Sequence, residues 1–283
     1  MADERTIIVH PGAVHASTRH DAWTVAAVAV VVYALSSLLH EGLGHGGACV
    51  VMHGVPRELS SMHFDCGQLA TRAAERIVAA GGTIATLFGG GLAFLLYKRA
   101  PRNAVWRYAL WLFAAVNLMQ GTGYFLYSGV GHIGDWAAVT DGWEPVLLWR
   151  AGLAVVGLAL YLYATLSLFR ALAPLAGEAR PRGYRHALRL AVLPYMVGGA
   201  LEIVAGMRNP GGLALVLISG AAASFGGTSG LAWGPQTLRG PRTPSVLLAV
   251  PVVIVKRSWA AIVIAITSAA LFIMLFGRGL SFS

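Results

Sequence analysis

Long apolar stretches alternate with short polar ones along most of the chain. Seven of the apolar stretches are long enough to cross a hydrocarbon core of about 30 Å as helices. They run approximately over 22–39, 77–97, 104–127, 146–171, 189–206, 212–233 and 258–277. This pattern predicts an all-α fold, a polytopic transmembrane helical bundle of about seven spans.

The polar segments divide the chain into three parts. Residues 1–21 form a polar N-terminal tail, which is too polar for a signal peptide, so we expect the first apolar helix to be retained. Residues 22–145 form a membrane core that carries the candidate chemistry, and residues 146–283 form C-terminal transmembrane helices.

Two segments are not expected to span. The stretch between Val51 and Arg76 is too polar and predicts a short hairpin or loop at the membrane surface, where an extended strand could pair with a substrate. Residues 245–255 are apolar but too short for a span, which indicates a re-entrant or interfacial piece.

Composition places the protein in the lipid bilayer. Of its 283 residues, 57% are hydrophobic and 12% charged, and the mean hydropathy is +0.66, far outside the range of soluble domains. The net charge is +9, but the basic residues collect in short loops and do not form a stripe interleaved with aromatic residues. We therefore expect an integral membrane protein, in a bacterial inner membrane, with no nucleic-acid partner.

The distribution of basic residues predicts the orientation of the chain. Three inter-helix regions are rich in them and should face the cytoplasm: Lys98, Arg99, Arg102 and Arg107; Arg170, Arg180, Arg182, Arg185 and Arg189; Arg239 and Arg242. The loop 129–145 contains three acidic residues and neither lysine nor arginine, so it should face the opposite side. Spans 1 and 3 then run parallel, and their carboxyl-terminal ends emerge on one face.

The run Ser36–Gly47 ends the first span with two histidines and a glutamate, His40, Glu41 and His45. In the usual HExxH motif, histidines four apart bind zinc from one helix face and the glutamate acts as general base. Here the second histidine comes one residue later, and five α-helical residues turn by about 500°, which would point the rings roughly 140° apart. A single π-type turn would realign them, and the glycines of the run allow it. We interpret the run as a non-standard metal motif; two histidines at the lipid headgroup interface are the alternative.

Further candidates lie at the end of span 3. A catalytic zinc ion needs three protein ligands and one open position, and either Asp135 or His132 could be the third ligand. Glu41 would then be the general base, and Asn117 could donate a hydrogen bond to the developing oxyanion. Asp135 could instead cap a turn, and Asn117 could make an interhelical hydrogen bond.

Two other features have open interpretations. Cys49 and Cys66 lack CxxC spacing, which excludes a cysteine-based metal cluster; they are compatible with one disulfide in an oxidising compartment or with two free thiols. Glu202 is a carboxylate within the fifth span. One interpretation is that it contacts an arginine or a backbone group in the packed bundle, and the other is that it acts in a proton relay.

In order along the chain, the histidine–glutamate–histidine motif, the polar hairpin, the Ala-Gly-Gly-rich helix at 79–82 and the aspartate after the third helix resemble the site-2 protease class of membrane zinc metalloproteases, peptidase family M50. The resemblance covers roughly residues 22–140. It implies Zn²⁺ held by His40, His45 and Asp135, Glu41 as base, a transmembrane protein as substrate, and a site open to the cytoplasm. The chain departs from the family in the extra motif residue and in lacking an Asn-Pro-Asp-Gly-like segment.

The expected function is therefore a membrane-embedded zinc metalloprotease that hydrolyses a peptide bond with metal-activated water. One alternative is a membrane zinc hydrolase of lipid amides, which the same ligands would serve. The other is a transporter or structural membrane protein that uses these polar residues for ions or packing.

Overall fold

The computed structural model describes residues 19–100, 103–176, 182–212, 216–238 and 253–282. Within these ranges the protein is mostly helical, and the all-α polytopic bundle is confirmed. Six described helices are long and apolar enough to cross a membrane: Ala22–Val51, Arg72–Arg99, Ala104–Gly131, Val146–Ala171, Gly183–Gly206 and Trp259–Phe276.

The first span is a composite helix. It consists of α1 (Ala22–Leu38), a π-helix (Leu39–Gly46) and α2 (Gly47–Val51) without a break. The helix ends where His53 adopts a left-handed conformation with φ of 58°, and the Gly54 amide then donates to the Cys49 carbonyl at 2.8 Å. The helix thus continues without interruption through the histidine motif.

A small antiparallel sheet follows the first span. Strands β1 (Val55–Leu59) and β2 (Phe64–Gly67) form the hairpin predicted for this region. The C-terminal strand β3 (Leu280–Ser281) pairs with the other edge of β1, so the strand order is β2-β1-β3. Cys49 and Cys66 form a disulfide that joins α2 to β2.

The remaining helices complete the bundle. They are α3 (Arg72–Arg99), α4 (Ala104–Gly131), α5 (Asp135–Val139), α6 (Val146–Ala171), α7 (Ala173–Ala176), α8 (Arg182–Gly206), α9 (Gly230–Trp233) and α10 (Trp259–Leu271).

The predicted sixth span, 212–233, is not one regular helix. Its described part is a π-helix (Val216–Gly226) followed by a turn and α9. This segment packs mainly against α8, and the Gly230 amide donates to the Tyr161 hydroxyl of α6 at 2.7 Å. Residues 1–18 of the predicted tail and 239–252, which include most of the predicted re-entrant piece, lie outside the described residues.

The core is centred on α1, which packs against α4, α8 and α10. Two large aromatic side chains of α4, Trp111 and Tyr108, are fully buried, and their polar atoms donate hydrogen bonds to backbone carbonyls. The Trp111 indole donates to Leu168 at 2.9 Å and the Tyr108 hydroxyl to Leu190 at 3.0 Å. Because buried polar groups are costly without partners, these bonds fix how the helices pack.

His20 connects three parts of the chain just before α1. Its Nδ1 accepts from the Val255 amide at 3.1 Å, so the ring is neutral and its Nε2 donates to the Leu175 carbonyl at 2.9 Å. Burial, and secondly the neighbouring His186 ring, lower the pKa of His20 from its ordinary value of 6.5 to about 4.

The protein should lose stability in mild acid because of His20. The unfolded chain takes up the His20 proton more readily than the folded one, so this stability is complete above pH 6.5 and declines as the pH falls towards 4. Between about pH 7.5 and 5 the loss should be on the order of 2 kcal/mol, seen as a lower thermal unfolding midpoint in detergent. His20→Gln, which does not titrate, should flatten this dependence; an equal slope in wild type and variant would contradict it.

Candidate metal centre

The π-helix brings His40 and His45 onto one face of the first span. Their Nε2 atoms lie 3.2 Å apart, and the two rings are nearly perpendicular, with centroids separated by 4.8 Å. In a regular α-helix, residues five apart would point roughly 140° away from each other. The widened turn that the motif predicts is therefore present, and it is what allows two imidazoles to approach a common point.

Asp135 approaches the same point from the first residue of α5. Its Oδ2 lies 3.4 Å from His40 Nε2 and its Oδ1 lies 3.6 Å from His45 Nε2. The turn before it requires a left-handed backbone, which Gly134 provides with φ of 83°. The Thr83 hydroxyl of α3 donates to Asp135 Oδ2 at 3.1 Å and orients the carboxylate.

These three side chains fit a tetrahedral metal ion. Ligand atoms about 2.0–2.1 Å from zinc in tetrahedral geometry lie about 3.3 Å from one another. The two Nε2 atoms lie 3.2 Å apart, and each faces a different oxygen of the Asp135 carboxylate, His40 at 3.4 Å from Oδ2 and His45 at 3.6 Å from Oδ1. His40, His45 and Asp135 are therefore a group that could hold a metal ion, as the sequence predicts.

Neighbouring groups hold each imidazole in place. His45 Nδ1 bonds the Val78 carbonyl at 2.7 Å, which leaves the Nε2 lone pair for a metal, as is usual for metal-binding histidines. His40 Nδ1 has no hydrogen-bond partner among the described residues, and its ring is held by stacking on Tyr124 at 4.7 Å between centroids.

The charge around the site favours a bound cation. The Glu41 side chain is buried and the Asp135 carboxylate is 12% exposed. Burial raises the pKa of Asp135, although His45 and the Thr83 hydroxyl act in the opposite direction. No lysine or arginine lines the surrounding cavity within the described ranges, so a cation would offset the cost of the buried carboxylates.

Three glycines allow α3 to lie directly against the π-helix. A Cβ at Gly44 would lie 2.5 Å from Gly82 Cα, and one at Gly81 would lie 2.5 Å from the Gly44 carbonyl. A Cβ at Gly82 would lie 2.5 Å from His45 Nε2 and 2.7 Å from His40 Nε2. Small residues at 79–82 are expected to allow close helix packing, but their contact with the imidazoles is not apparent from sequence.

A large cavity opens beside the three ligands. Its volume is about 980 Å³, at the upper end of the range for small-molecule sites. Its lining is mostly apolar and comes from the β2 strand, α3, α4, α5 and residues 222–229. Because Glu41 also lies on its wall, a molecule in the cavity would reach the carboxylate and the metal ligands together.

The other predicted site residues lie elsewhere. His132 is exposed at the left-handed C-cap of α4 and does not join the His40, His45 and Asp135 group. Asn117 donates to the Ser36 hydroxyl at 2.8 Å and to the Phe113 carbonyl at 2.9 Å, and it lines neither described cavity. This contact matches the interhelical alternative for Asn117, and its oxyanion role stays a prediction without geometric support.

Three polar residues of α4 line the cavity and were not identified from sequence: Gln120, Tyr124 and Tyr127. They follow Asn117 at intervals of three, seven and ten, which places all four side chains towards one side of the helix. This helical spacing is the feature of the sequence that could have identified them, but it does not reveal which of these side chains reaches the metal site.

Comparisons with known proteins give no match: no family model, no curated protein and no solved structure is similar to this chain. The likeness to family M50 therefore remains one of motif residues and their order. The chemistry of the site is inferred from its own geometry.

Replacing Gly82 with alanine should impair metal binding. The new methyl group would occupy the space next to both Nε2 atoms, so the imidazoles would have to turn away. We expect Gly82→Ala to weaken zinc affinity at least about tenfold, as changes beside metal ligands commonly do. Competition titration of the purified protein with a zinc-binding dye measures this.

Gly91→Ala is the matched control on the same helix, because a Cβ at Gly91 would meet no atom within 4 Å. It should bind zinc like the wild type. Wild-type affinity in Gly82→Ala would show that the ions bind elsewhere.

Proposed function

We propose that this protein is a membrane-embedded zinc hydrolase that cleaves a peptide bond, in the manner of the M50 peptidases that its motif resembles. The observation that carries the proposal is the convergence of His40, His45 and Asp135 beside Glu41 at the wall of a large apolar cavity. A zinc ion held by the three ligands would supply Lewis-acid activation of water and of the substrate carbonyl.

Glu41 is the proposed general base. It follows a metal ligand directly in the chain, is buried, and borders the cavity in which a substrate would lie. In this role it takes a proton from the attacking water and delivers it to the leaving amine. Gln120 and Tyr124 are polar side chains on the same wall and are available to hydrogen-bond the substrate backbone.

A segment of a membrane protein is the substrate class that the cavity favours. Part of the wall is strand β2, whose second edge is unpaired among the described residues. An extended peptide could add to such an edge through backbone hydrogen bonds. The apolar lining also suits the acyl chain of a lipid amide, which is the second candidate substrate.

The site is proposed to face away from the cytoplasm. The Cys49–Cys66 disulfide lies at the same end of the bundle as the metal ligands, and disulfides persist in oxidising compartments. The basic residues Lys98, Arg99 and Arg107 lie at the other end, as expected for the cytoplasmic side. In a bacterial inner membrane, the site would then face the periplasm, in contrast to what the M50 resemblance implies.

Zinc content and hydrolysis together test the proposed reaction. The wild type should contain one zinc ion per chain, and His45→Ala should lose it because a ligand is missing. Glu41→Gln should keep the zinc but hydrolyse membrane peptides about a thousandfold more slowly, since only the base is lost.

Metal analysis by mass spectrometry and product detection with membrane peptides and N-acyl amides are the measurements. Cleavage of the amides alone would select the lipid substrate class. The absence of stoichiometric zinc would remove both hydrolase functions.

Cysteine labelling in intact cells tests the orientation. In a variant with Cys49→Ser and Cys66→Ser, Ala70→Cys lies on the hairpin side and Ala100→Cys at the opposite end of α3. A membrane-impermeant maleimide should label Ala70→Cys in intact cells and Ala100→Cys only after lysis. The reverse pattern would place the metal site on the cytoplasmic side.

A further inference from the structure

A second, smaller cavity adjoins the metal centre. Its volume is about 30 Å³, which suits a single water molecule. It shares Glu41 and several other wall residues with the large cavity. The residues that line it alone are all polar: Ser37, Ser61, Glu202 and Ser224.

Glu202 presents a buried carboxylate to this cavity from the membrane span α8. Its side chain is 4% exposed, and the Ser37 hydroxyl donates to its Oε1 at 2.7 Å. Among the described residues Glu202 forms no salt bridge, so none of their arginines makes the contact that the sequence allowed. An ionisable group at such depth is costly and is usually retained for function.

Ser61 presents an unsatisfied hydroxyl to the same cavity. The residue is 3% exposed, just after β1, and its backbone amide donates to the Phe276 carbonyl at 2.8 Å. Its Oγ has no hydrogen-bond partner among the described residues. Because buried polar atoms are nearly always paired with protein or ordered water, this hydroxyl indicates a bound partner in the cavity.

We propose that the small cavity binds one water molecule that links Ser61, Glu202 and Glu41. The water accepts a hydrogen bond from the Ser61 hydroxyl and donates one to each of the two carboxylates. Three hydrogen bonds are the usual number for a buried water. Glu202 is then a positioning residue that holds the Glu41 carboxylate through this water, and its functional consequence rests on the proposed role of Glu41 as base.

An experimental structure of the intact protein tests the site without any substrate. A cryo-EM map that resolves ordered waters should show density within hydrogen-bonding distance of the Ser61 hydroxyl and both carboxylates. The density should disappear in Ser61→Ala. A dry cavity in the wild type, or a cation coordinated by five or six oxygen atoms, would overturn the proposal.

Kinetics test the positioning role. Ser61→Ala and Glu202→Gln should each lower kcat about tenfold or more while KM and zinc content stay at wild-type values, and Ser61→Thr, which keeps the hydroxyl, should restore kcat. Thr165→Val is the matched control, since the Thr165 hydroxyl is also buried without a described partner but lines neither cavity. Unchanged kcat in both variants, or equal loss in the control, would contradict the role of Glu202.

The outcomes separate this proposal from the proposed function. If Glu41→Gln abolishes hydrolysis but the cavity is dry, the hydrolase stands and the water site fails. If the wild type hydrolyses neither peptides nor amides, the density and the position of the Glu41 carboxylate in Ser61→Ala still decide whether the water holds that side chain.

Discussion

The metal centre depends on one local widening of the first transmembrane helix. Between Leu39 and Gly46 the helix adopts π geometry, and this places the imidazoles of His40 and His45 on one face although they are five residues apart. Wide turns of this kind are uncommon and are concentrated at functional sites. Without the widening, only one histidine would face Asp135, and a three-ligand site could not form.

Helix α3 supports every part of that geometry. Gly81 and Gly82 let its backbone contact the π-helix, Val78 orients His45 and Thr83 orients Asp135. These four residues lie within two turns of the helix, so one rigid element contacts both imidazoles and orients His45 and Asp135, while the His40 ring stacks on Tyr124 of α4. A site built in this way is held in place before a metal binds, which is a requirement for defined coordination geometry.

The two ends of the bundle are held together by different interactions. Towards the basic end, the aromatic core around Trp111 and the buried His20 hold the helices together. Towards the other end, the Cys49–Cys66 disulfide and a sheet that includes the C-terminal strand hold the hairpin beside the cavity. The polar chemistry is thus confined to the end that the disulfide and the sheet stabilise.

The sequence predicts where the helices lie along the chain better than how each helix is rotated about its own axis. Hydropathy locates the long helices, and the spacing of two histidines predicts the π-helix because only a widened turn brings them together. The spans are apolar on nearly all sides, so the pattern cannot specify which face of α4 meets the site, and Asn117 turns towards Ser36 while Tyr124 reaches His40. Strand β3 has two residues, too few for any pattern, and whether Cys49 and Cys66 pair depends on a long-range fold.

X-ray absorption spectroscopy at the zinc edge of the purified, zinc-loaded protein tests the central claim most directly. Coordination by His40, His45 and Asp135 predicts a four-coordinate shell of nitrogen and oxygen at about 2.0–2.1 Å, with the multiple-scattering signature of two imidazoles. In His45→Ala one imidazole should disappear from the spectrum. A six-coordinate oxygen shell, sulfur ligation, or a wild-type spectrum in His45→Ala would contradict the account.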